Sequence, residues 1–236
     1  MQTIGLIGGM SWESSVTYYQ VINQIIKQEL GGLHSAKCIL YSVDFHQIEQ
    51  CQASGDWDKS AEILSDAALK LQNAGADFIV ICTNTMHKVA TNIQANITIP
   101  IIHIAKATTL ALKNKQLNKI ALLGTKYTME QDFYKKIIID NGIDVIIPEK
   151  DEREIINNII FDELCLGSIN LKSKNILLNM IDKLAFAGAQ GIILGCTEIG
   201  LLIDQSDTQF PLFDTTLIHA SYAAYYALGI ESYKKL

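Results

Sequence analysis

Arginine is almost absent from this chain of 236 residues: Arg153, in the segment Asp151-Glu152-Arg153-Glu154, is the only one. With 19 basic against 25 acidic residues the formal net charge is −6. Binding to nucleic acid or to an anionic membrane surface needs clustered Lys and Arg, so both are excluded as partners. Long apolar runs are missing too. None approaches the roughly 18 residues of a membrane-spanning helix, and Met1-Gln2-Thr3 puts no basic stretch ahead of the first apolar run, so the reading is of a cytoplasmic protein. Cysteine is scarce, with five residues at 38, 51, 82, 165 and 196. An odd number without a Cys-x-x-Cys pair rules out a disulfide framework and a zinc site and leaves free thiols; no metal is implied. Prolines number three, and no Pro-rich or polar linker breaks the chain. Gly5, Gly8 and Gly9 are followed by Met10-Ser11-Trp12 and lack the Gly-x-Gly-x-x-Gly spacing, which removes the dinucleotide-binding loop and favours a tight strand-to-helix turn.

What is present is 49% hydrophobic and 19% charged, enough apolar matter for two small domains with cores. The chain is also written twice. At an offset of 113 residues, the segment from Leu71 through Asn73-Ala74-Gly75 to Cys82-Thr83-Asn84-Thr85 lies over the segment from Leu184 through Phe186-Ala187-Gly188 to Gly195-Cys196-Thr197-Glu198. Ile4–Gly8 over Ile120–Gly124 and Pro100–His103 over Pro211–Asp214 repeat at nearly the same distance. A period this long is a duplicated domain rather than a solenoid, and it predicts a cleft between the halves where two versions of one site meet.

Short apolar runs at 3–8, 38–43, 77–82, 100–103, 118–123, 143–147, 190–195 and 211–213 alternate with helix-length segments at 13–29, 58–74, 84–93, 105–115, 128–140, 151–165, 171–188 and 216–228. That alternation predicts βαβ units and parallel sheets. Phe78-Ile79-Val80-Ile81 and Gly191-Ile192-Ile193-Leu194 are continuously apolar, as strands covered on both faces should be. Gly75 and Gly188 stand where helix C-caps belong. The predicted architecture is α/β, two pseudosymmetric doubly wound parallel-sheet domains with the active site in the cleft between them. Residues 1–103 plus 212–236 form the first half and 104–211 the second, the last helix returning to the first half.

In open parallel sheets ligands bind beyond the carboxyl ends of the strands. Four polar segments fall there: Gly8–Glu13, Cys82–His87, Gly124–Met129 and Gly195–Glu198. They make Met10, Ser11, Asn84, Thr85, Thr125, Tyr127, Thr128, Thr197 and Glu198 the candidate substrate contacts. Cys196 follows a strand and opens a predicted helix, whose dipole should depress the thiol pKa and favour the thiolate; the alternative is a buried, inert cysteine. Thr83, its counterpart under the repeat, can equally cap a helix. Strand alternation sends Cys82 to the opposite face, into a helix layer. His87 and His219 are candidates for supporting roles.

Through Gly8-Gly9-Met10-Ser11-Trp12-Glu13, Tyr18-Tyr19, Val43-Asp44-Phe45, Asn84-Thr85-Met86-His87, Gly124-Thr125, Tyr127-Thr128-Met129, Gly195-Cys196-Thr197-Glu198 and Phe213-Asp214-Thr215-Thr216, the chain resembles the aspartate/glutamate racemase family essentially end to end. The resemblance implies a cofactor-independent isomerase of a small amino-acid substrate, needing no pyridoxal phosphate, and a homodimer. It also implies an acid and a base on opposite faces of Cα. Members usually carry Cys-Asn-Thr-x-His where this chain has Thr83-Asn84-Thr85-Met86-His87, and the branch with threonine paired to cysteine is associated with L-aspartate and L-glutamate. Catalysis is thereby assigned to Thr83 and Cys196. Leu166 and His46 stand where aspartate racemases of the family often have basic residues. The competing functions are a racemase of broader specificity, a one-cysteine isomerase or decarboxylase of dicarboxylates, and a non-catalytic amino-acid-binding protein.

Overall fold

The computed structural model describes residues 1–231; residues 232–236, within the segment read as the first half, lie outside the described residues. Two compact units emerge, one from Met1–Ala107 together with the chain from Thr216, the other from Thr108–Thr215. The expected joints at 103/104 and 211/212 therefore fall at 107/108 and 215/216. The second joint moves because residues 212–214 form a strand of the second sheet.

The first unit runs β1 (Ile4–Gly8), α1 (Trp12–Leu30), β2 (Cys38–Ser42), α2 (Phe45–Ser54), α3 (Trp57–Asn73), β3 (Phe78–Ile81), a 3-10 turn at Thr85–Val89, α4 (Ala90–Gln94), β4 (Ile101–Ile102) and α5 (Ile104–Asn114), which crosses the joint. The second runs β5 (Lys119–Gly124), α6 (Lys126–Glu130), α7 (Asp132–Ile139), β6 (Asp144–Ile146), α8 (Lys150–Asn158), α9 (Leu171–Phe186), β7 (Ile192–Gly195), α10 (Ile199–Leu202) and β8 (Leu212–Asp214). The last helix, α11 (Thr215–Leu228), starts at the second joint. Both sheets are parallel and their orders match, β2-β1-β3-β4 and β6-β5-β7-β8. The order reverses between β1 and β3, and again between β5 and β7. Those are the places where a doubly wound sheet opens a crevice at its carboxyl end.

The helices follow from spacing and punctuation. In α1 the buried positions Tyr18, Ile22 and Ile26 recur every fourth residue, a stripe on one helical face, and the helix stops at Gly31 (φ 74°), whose N–H bonds to the carbonyl of Lys27. The ends of α3 and α9 are written the same way: Ala76 N–H bonds to the Leu71 carbonyl and Ala189 N–H to that of Leu184, after Gly75 (φ 97°) and Gly188 (φ 96°). Three expected helices come out differently. Residues 84–93 split into the 3-10 turn and α4, residues 128–140 break at Gln131 into α6 and α7, and 151–165 ends in a π-helical turn (Ile159–Glu163) followed by a 3-10 turn (Leu164–Leu166). The helix α2 was not expected at all; it is capped by Asp44, whose side chain accepts from His46 N–H.

The first sheet carries an apolar cluster on each face. Ile7, Ile79 and Ile81 pack with Leu64, Ala67, Ala68 and Leu71 of α3. Ile4, Leu6, Phe78, Val80 and Cys82 pack with Tyr18, Ile22 and Ile26 of α1 and with Ala220, Ala223, Ala224 and Ala227 of α11. The alanine stripe lets α11 lie close on the strands, with Tyr226 edge-on to Phe78 at 4.9 Å between ring centroids. The return of the last helix to the first unit is thus fixed by side-chain packing.

Gly9 shows how tightly the β1 turn is built. Its φ of 90° lies where L side chains are strained, and a Cβ there would run into the backbone carbonyl of Val43. Gly9→Ala should lower the free energy of unfolding by about 2–4 kcal/mol, combining backbone strain with a backbone clash. Urea titration followed by circular dichroism measures it, and a loss below 1 kcal/mol would show that the turn relaxes freely.

Candidate active site

In the first unit the ends of β1 and β3 lie side by side, with Ile7 opposite Ile81 and Cys82 N–H bonded to the Ile7 carbonyl at 2.9 Å. This brings Met10 and Ser11 to the same sheet end as Thr83, Asn84 and Thr85. Their surroundings differ from the simplest expectation. Gly9 N–H, a candidate donor to a substrate carboxylate, already bonds to Ser15 Oγ at 2.8 Å, and Ser15 Oγ donates to the Ser11 carbonyl at 3.1 Å. The Met10 side chain belongs to the apolar cluster with Ile7 and Ile48, so only its backbone is available to a ligand. Ser15, one turn into α1, was missed by sequence reasoning, because nothing in its spacing shows that it ties off the glycine turn.

Thr83 is half-buried and Asn84 and Thr85 are buried beside it. Cys82 is fully buried in the cluster facing α1 and α11, and burial drives its thiol far above the ordinary range. It is a core thiol.

Behind Thr83 stand three imidazoles. His87 Nε2 accepts the Ile104 N–H at 3.1 Å, so its proton sits on Nδ1, which donates to the Thr83 carbonyl at 2.8 Å. His219 Nε2 donates to the Ile102 carbonyl at 2.8 Å, leaving Nδ1 to accept the Tyr18 hydroxyl at 2.8 Å. His103 Nδ1 accepts the Ala105 N–H at 3.2 Å. The rings of His87 and His103 are 4.6 Å apart, and those of His87 and His219 5.6 Å. Burial depresses all three, His87 to about 4, His219 to about 3 and His103 to about 2. They are neutral scaffolding that ties the Thr83 segment to β4 and α5.

In the second unit Gly124 pairs with Gly195, so Thr125 and Cys196 leave adjacent strand ends. A Cβ on Gly124 would stand 2.8 Å from the Gly195 carbonyl oxygen, and one on Gly195 2.8 Å from that of Leu123. Thr125 caps α6, accepting from Thr128 N–H at 3.3 Å, and the two hydroxyls are 3.2 Å apart. Thr128 is wholly buried in this cap, which makes it a support for the loop, while Tyr127 is half-buried.

Cys196 Sγ donates to Glu198 Oε2 at 3.0 Å, and Thr197 Oγ1 donates to the same oxygen at 2.7 Å. All three residues are buried. The depressed thiol expected from a helix dipole is not found. Burial, then the adjacent Glu198 charge, with smaller help from Cys165, push the Cys196 pKa well above its ordinary value. The physical reason is local: α10 has four residues, begins three positions after Cys196, and is preceded by a carboxylate. Glu198, expected as a substrate contact, has Oε2 engaged by its two neighbours. Leu166 is three-quarters exposed, and His46 bonds through Nε2 to Gln50 Nε2 at 3.0 Å. Among the described residues no group of three or more His, Cys, Asp or Glu side chains has the spacing to hold a metal ion, and no helix is long and apolar enough to cross a membrane.

Two parallel four-stranded sheets of one order, each ending in a polar segment, with a half-buried hydroxyl in one and a buried thiol in the other at equivalent positions, are the frame of a duplicated α/β isomerase. The family model for Asp/Glu/hydantoin racemases matches residues 7–223, and the chain belongs to that family. A solved structure of a candidate Asp/Glu racemase from Yersinia pestis is 57% identical, covering 97% of this chain and 100% of that one, with a TM-score of 0.89. An aspartate racemase homologue from Pyrococcus horikoshii OT3 is 35% identical over the same shares, with a TM-score of 0.83. The broad specificity amino-acid racemase RacX of Bacillus subtilis (strain 168) is 26% identical over 162 residues, 68% of this chain and 69% of that protein.

The neutral imidazoles give stability a definite pH dependence. An unfolded histidine takes up its proton near pH 6.5, whereas buried His87 and His219 stay neutral until about pH 4 and 3. Between those values the unfolded chain binds more protons, so stability is full above about pH 6.5 and falls with pH by up to about 1.4 kcal/mol per unit for each group. Urea midpoints from pH 7.5 to 4.5 should trace this fall, and His219→Gln should flatten it; an unchanged slope in that variant would show that the ring is protonated in the folded state.

Proposed function

We propose that this chain is a cofactor-independent amino-acid racemase acting on aspartate and glutamate, with Cys196 serving one face of the substrate Cα and Thr83 the other. The observation that carries the reading is the equivalence of these two residues. Each is the first or second residue beyond the inner strand of its sheet, in units of one strand order, 113 positions apart.

Racemisation removes the Cα proton from one face and returns a proton to the other, through a planar carbanion that the site must stabilise. Cys196 is the stronger acid–base group, since a thiol is intrinsically a far stronger acid than an aliphatic hydroxyl. Among the described residues no carboxylate or imidazole bonds to the Thr83 hydroxyl, so the two faces have unequal proton donors. Asn84, Thr85 and the strand-end N–H groups of Ser11 and Thr197 would hold the α-carboxylate and spread the developing charge. Thr125 and Tyr127 complete the contact set from the β5 end. The homodimer and the cytoplasmic setting belong to this same reading.

A second reading is a racemase of broad specificity. Leu166, exposed and apolar, and His46, bonded to Gln50, take the places where a side-chain carboxylate would look for a cation. Similarity to the broad specificity RacX supports it.

Incubation in D2O with each L- and D-amino acid, without added pyridoxal phosphate, tests both readings. Deuteration and inversion at Cα confined to aspartate and glutamate favours the first, a wide range the second, and no exchange with any amino acid would sink both. Cys196→Ala should cost about a hundredfold or more in Cα exchange, whereas Cys82→Ala should retain most activity and lose about 1–2 kcal/mol of stability from the vacated core. Equal losses from the two variants would remove Cys196 from its role. Thr83→Cys, which puts matched thiols at the equivalent positions, should raise the rate of inversion relative to exchange without inversion. The ratio comes from following both signals by NMR, and no change in it would reduce Thr83 to a helix cap.

A further inference from the structure

Between α4, the edge strand β4 and the start of α5 lies a cavity of about 400 Å3, lined wholly by residues of the first unit. Its walls are apolar, from Ala90, Ala95 and Ile101. Gln94 closes one side but is already engaged, since Nε2 donates to the Ile97 and Ile99 carbonyls and Oε1 accepts the Ile101 N–H. Three donors remain. His103 Nδ1 accepts the Ala105 N–H at 3.2 Å, so the ring proton sits on Nε2, and that N–H has no acceptor among the described residues. The Thr91 hydroxyl and the Lys106 ammonium line the same cavity, and among the described residues they too have no hydrogen-bond or ion-pair partner. Lys106 is close enough for its charge to oppose protonation of His103.

Donors without an acceptor among them choose a ligand by charge. No Asp or Glu is among the residues lining the cavity, so its field is positive and suits an anion. A carboxylate brings two oxygens with about four lone-pair sites, enough for all three donors. The apolar walls match a short hydrocarbon stem, and the volume is that of a small-molecule site rather than of a bare ion. An amino acid is a poor fit, because its ammonium would meet Lys106 and find no carboxylate to pair with.

We propose that this cavity binds a short aliphatic carboxylate lacking an amino group, held by the Lys106 ammonium, His103 Nε2–H and the Thr91 hydroxyl. The proposal stands independently of the racemase reading. The site lies one ring away from the Thr83 segment: His103 packs 4.6 Å from His87, whose Nδ1 donates to the Thr83 carbonyl.

Proton NMR of the full chain at pH 7 tests it, with the His103 ring signal assigned by its loss in His103→Gln. Butyrate should shift that signal saturably, with a Kd on the order of 1 mM for a ligand of so few atoms. 2-Aminobutyrate, which has the same stem plus an ammonium, and inorganic phosphate, which has no stem, should each bind about tenfold more weakly or worse. Lys106→Ala should weaken butyrate binding about tenfold, and Lys106→Glu should abolish the shift. Lys106 is exposed, so neither change disturbs the core, and circular dichroism verifies the fold of both. A His103 signal unmoved by butyrate up to about 100 mM overturns the proposal. So does a shift of the same size and midpoint in Lys106→Glu, which would mark a general salt effect. Equal affinity for phosphate or 2-aminobutyrate overturns it as well, because the stem and the missing amino group define the ligand.

Discussion

The close approach of the inner strands at their carboxyl ends is the constraint on which the rest depends. At Gly124 and Gly195 two parallel strands meet with no room for a side chain on either, since a Cβ at each would stand 2.8 Å from a backbone carbonyl oxygen. Only because both positions are glycine can Thr125 and Cys196 leave the sheet as neighbours. The first sheet reaches the same end by other means. Gly8 accommodates Ser15 and Leu40, Gly9 turns with positive φ, and Cys82 and Thr83 are held by N–H bonds to the carbonyls of Ile7 and Ile81. The side chains proposed as reactive in both units are therefore placed by backbone packing, which is stiff, rather than by loop conformation.

Around these ends the two units solve the problem of buried polarity differently. The first uses neutral imidazoles whose tautomers are dictated by backbone groups: an N–H fixes Nε2 of His87 as acceptor, and a carbonyl fixes Nε2 of His219 as donor. A neutral ring with both nitrogens bonded carries little burial cost. The second unit buries a carboxylate, which is costly unless donors converge on it, and the donors supplied are the Cys196 thiol and its neighbour's hydroxyl. The buried carboxylate is thus confined to one copy of the repeat. A duplicated fold can keep its backbone symmetric while its chemistry diverges at three consecutive positions, 83–85 against 196–198.

Much of the architecture was legible because it is written in periodicity. Eight apolar runs, the glycine caps after α3 and α9, and the repeat offset specified parallel strands and a duplicated domain before any coordinates. Short elements were not legible. In α2 the buried positions Ile48, Cys51 and Gln52 follow a polar, weakly patterned sequence, and the π-helical turn at Ile159–Glu163 leaves no mark on an apolar period. The roles of single site residues were half legible. The strand-end location of Thr83 and Cys196 follows from counting, but the raised pKa of Cys196 does not, since it comes first from burial and then from a carboxylate two residues on that turns toward Sγ. The Tyr18–His219 bond spans 201 residues, and local spacing has no access to it.

The two cysteines near the inner strand ends, 82 and 196, show why one residue of register decides between chemistry and packing. In extended backbone, successive side chains point to opposite faces. Phe78, Val80 and Cys82 share the face against α1 and α11, while Ile79 and Ile81 share the other. The Cys82 thiol is therefore committed to a wall of tyrosine, isoleucine and alanine, where burial raises its pKa and its hydrogen-bond partner is the Val80 carbonyl. Loop motion cannot rescue it, because Cys82 and Thr83 N–H are both held by carbonyls of the first sheet. Bringing the Cys82 thiol itself to the place of the Thr83 side chain would demand breaking those bonds and inverting the side chains upstream. The second position beyond the strand carries a threonine instead, so in the first unit a hydroxyl stands where the second has a thiol, while the Cys82 thiol stays in the core.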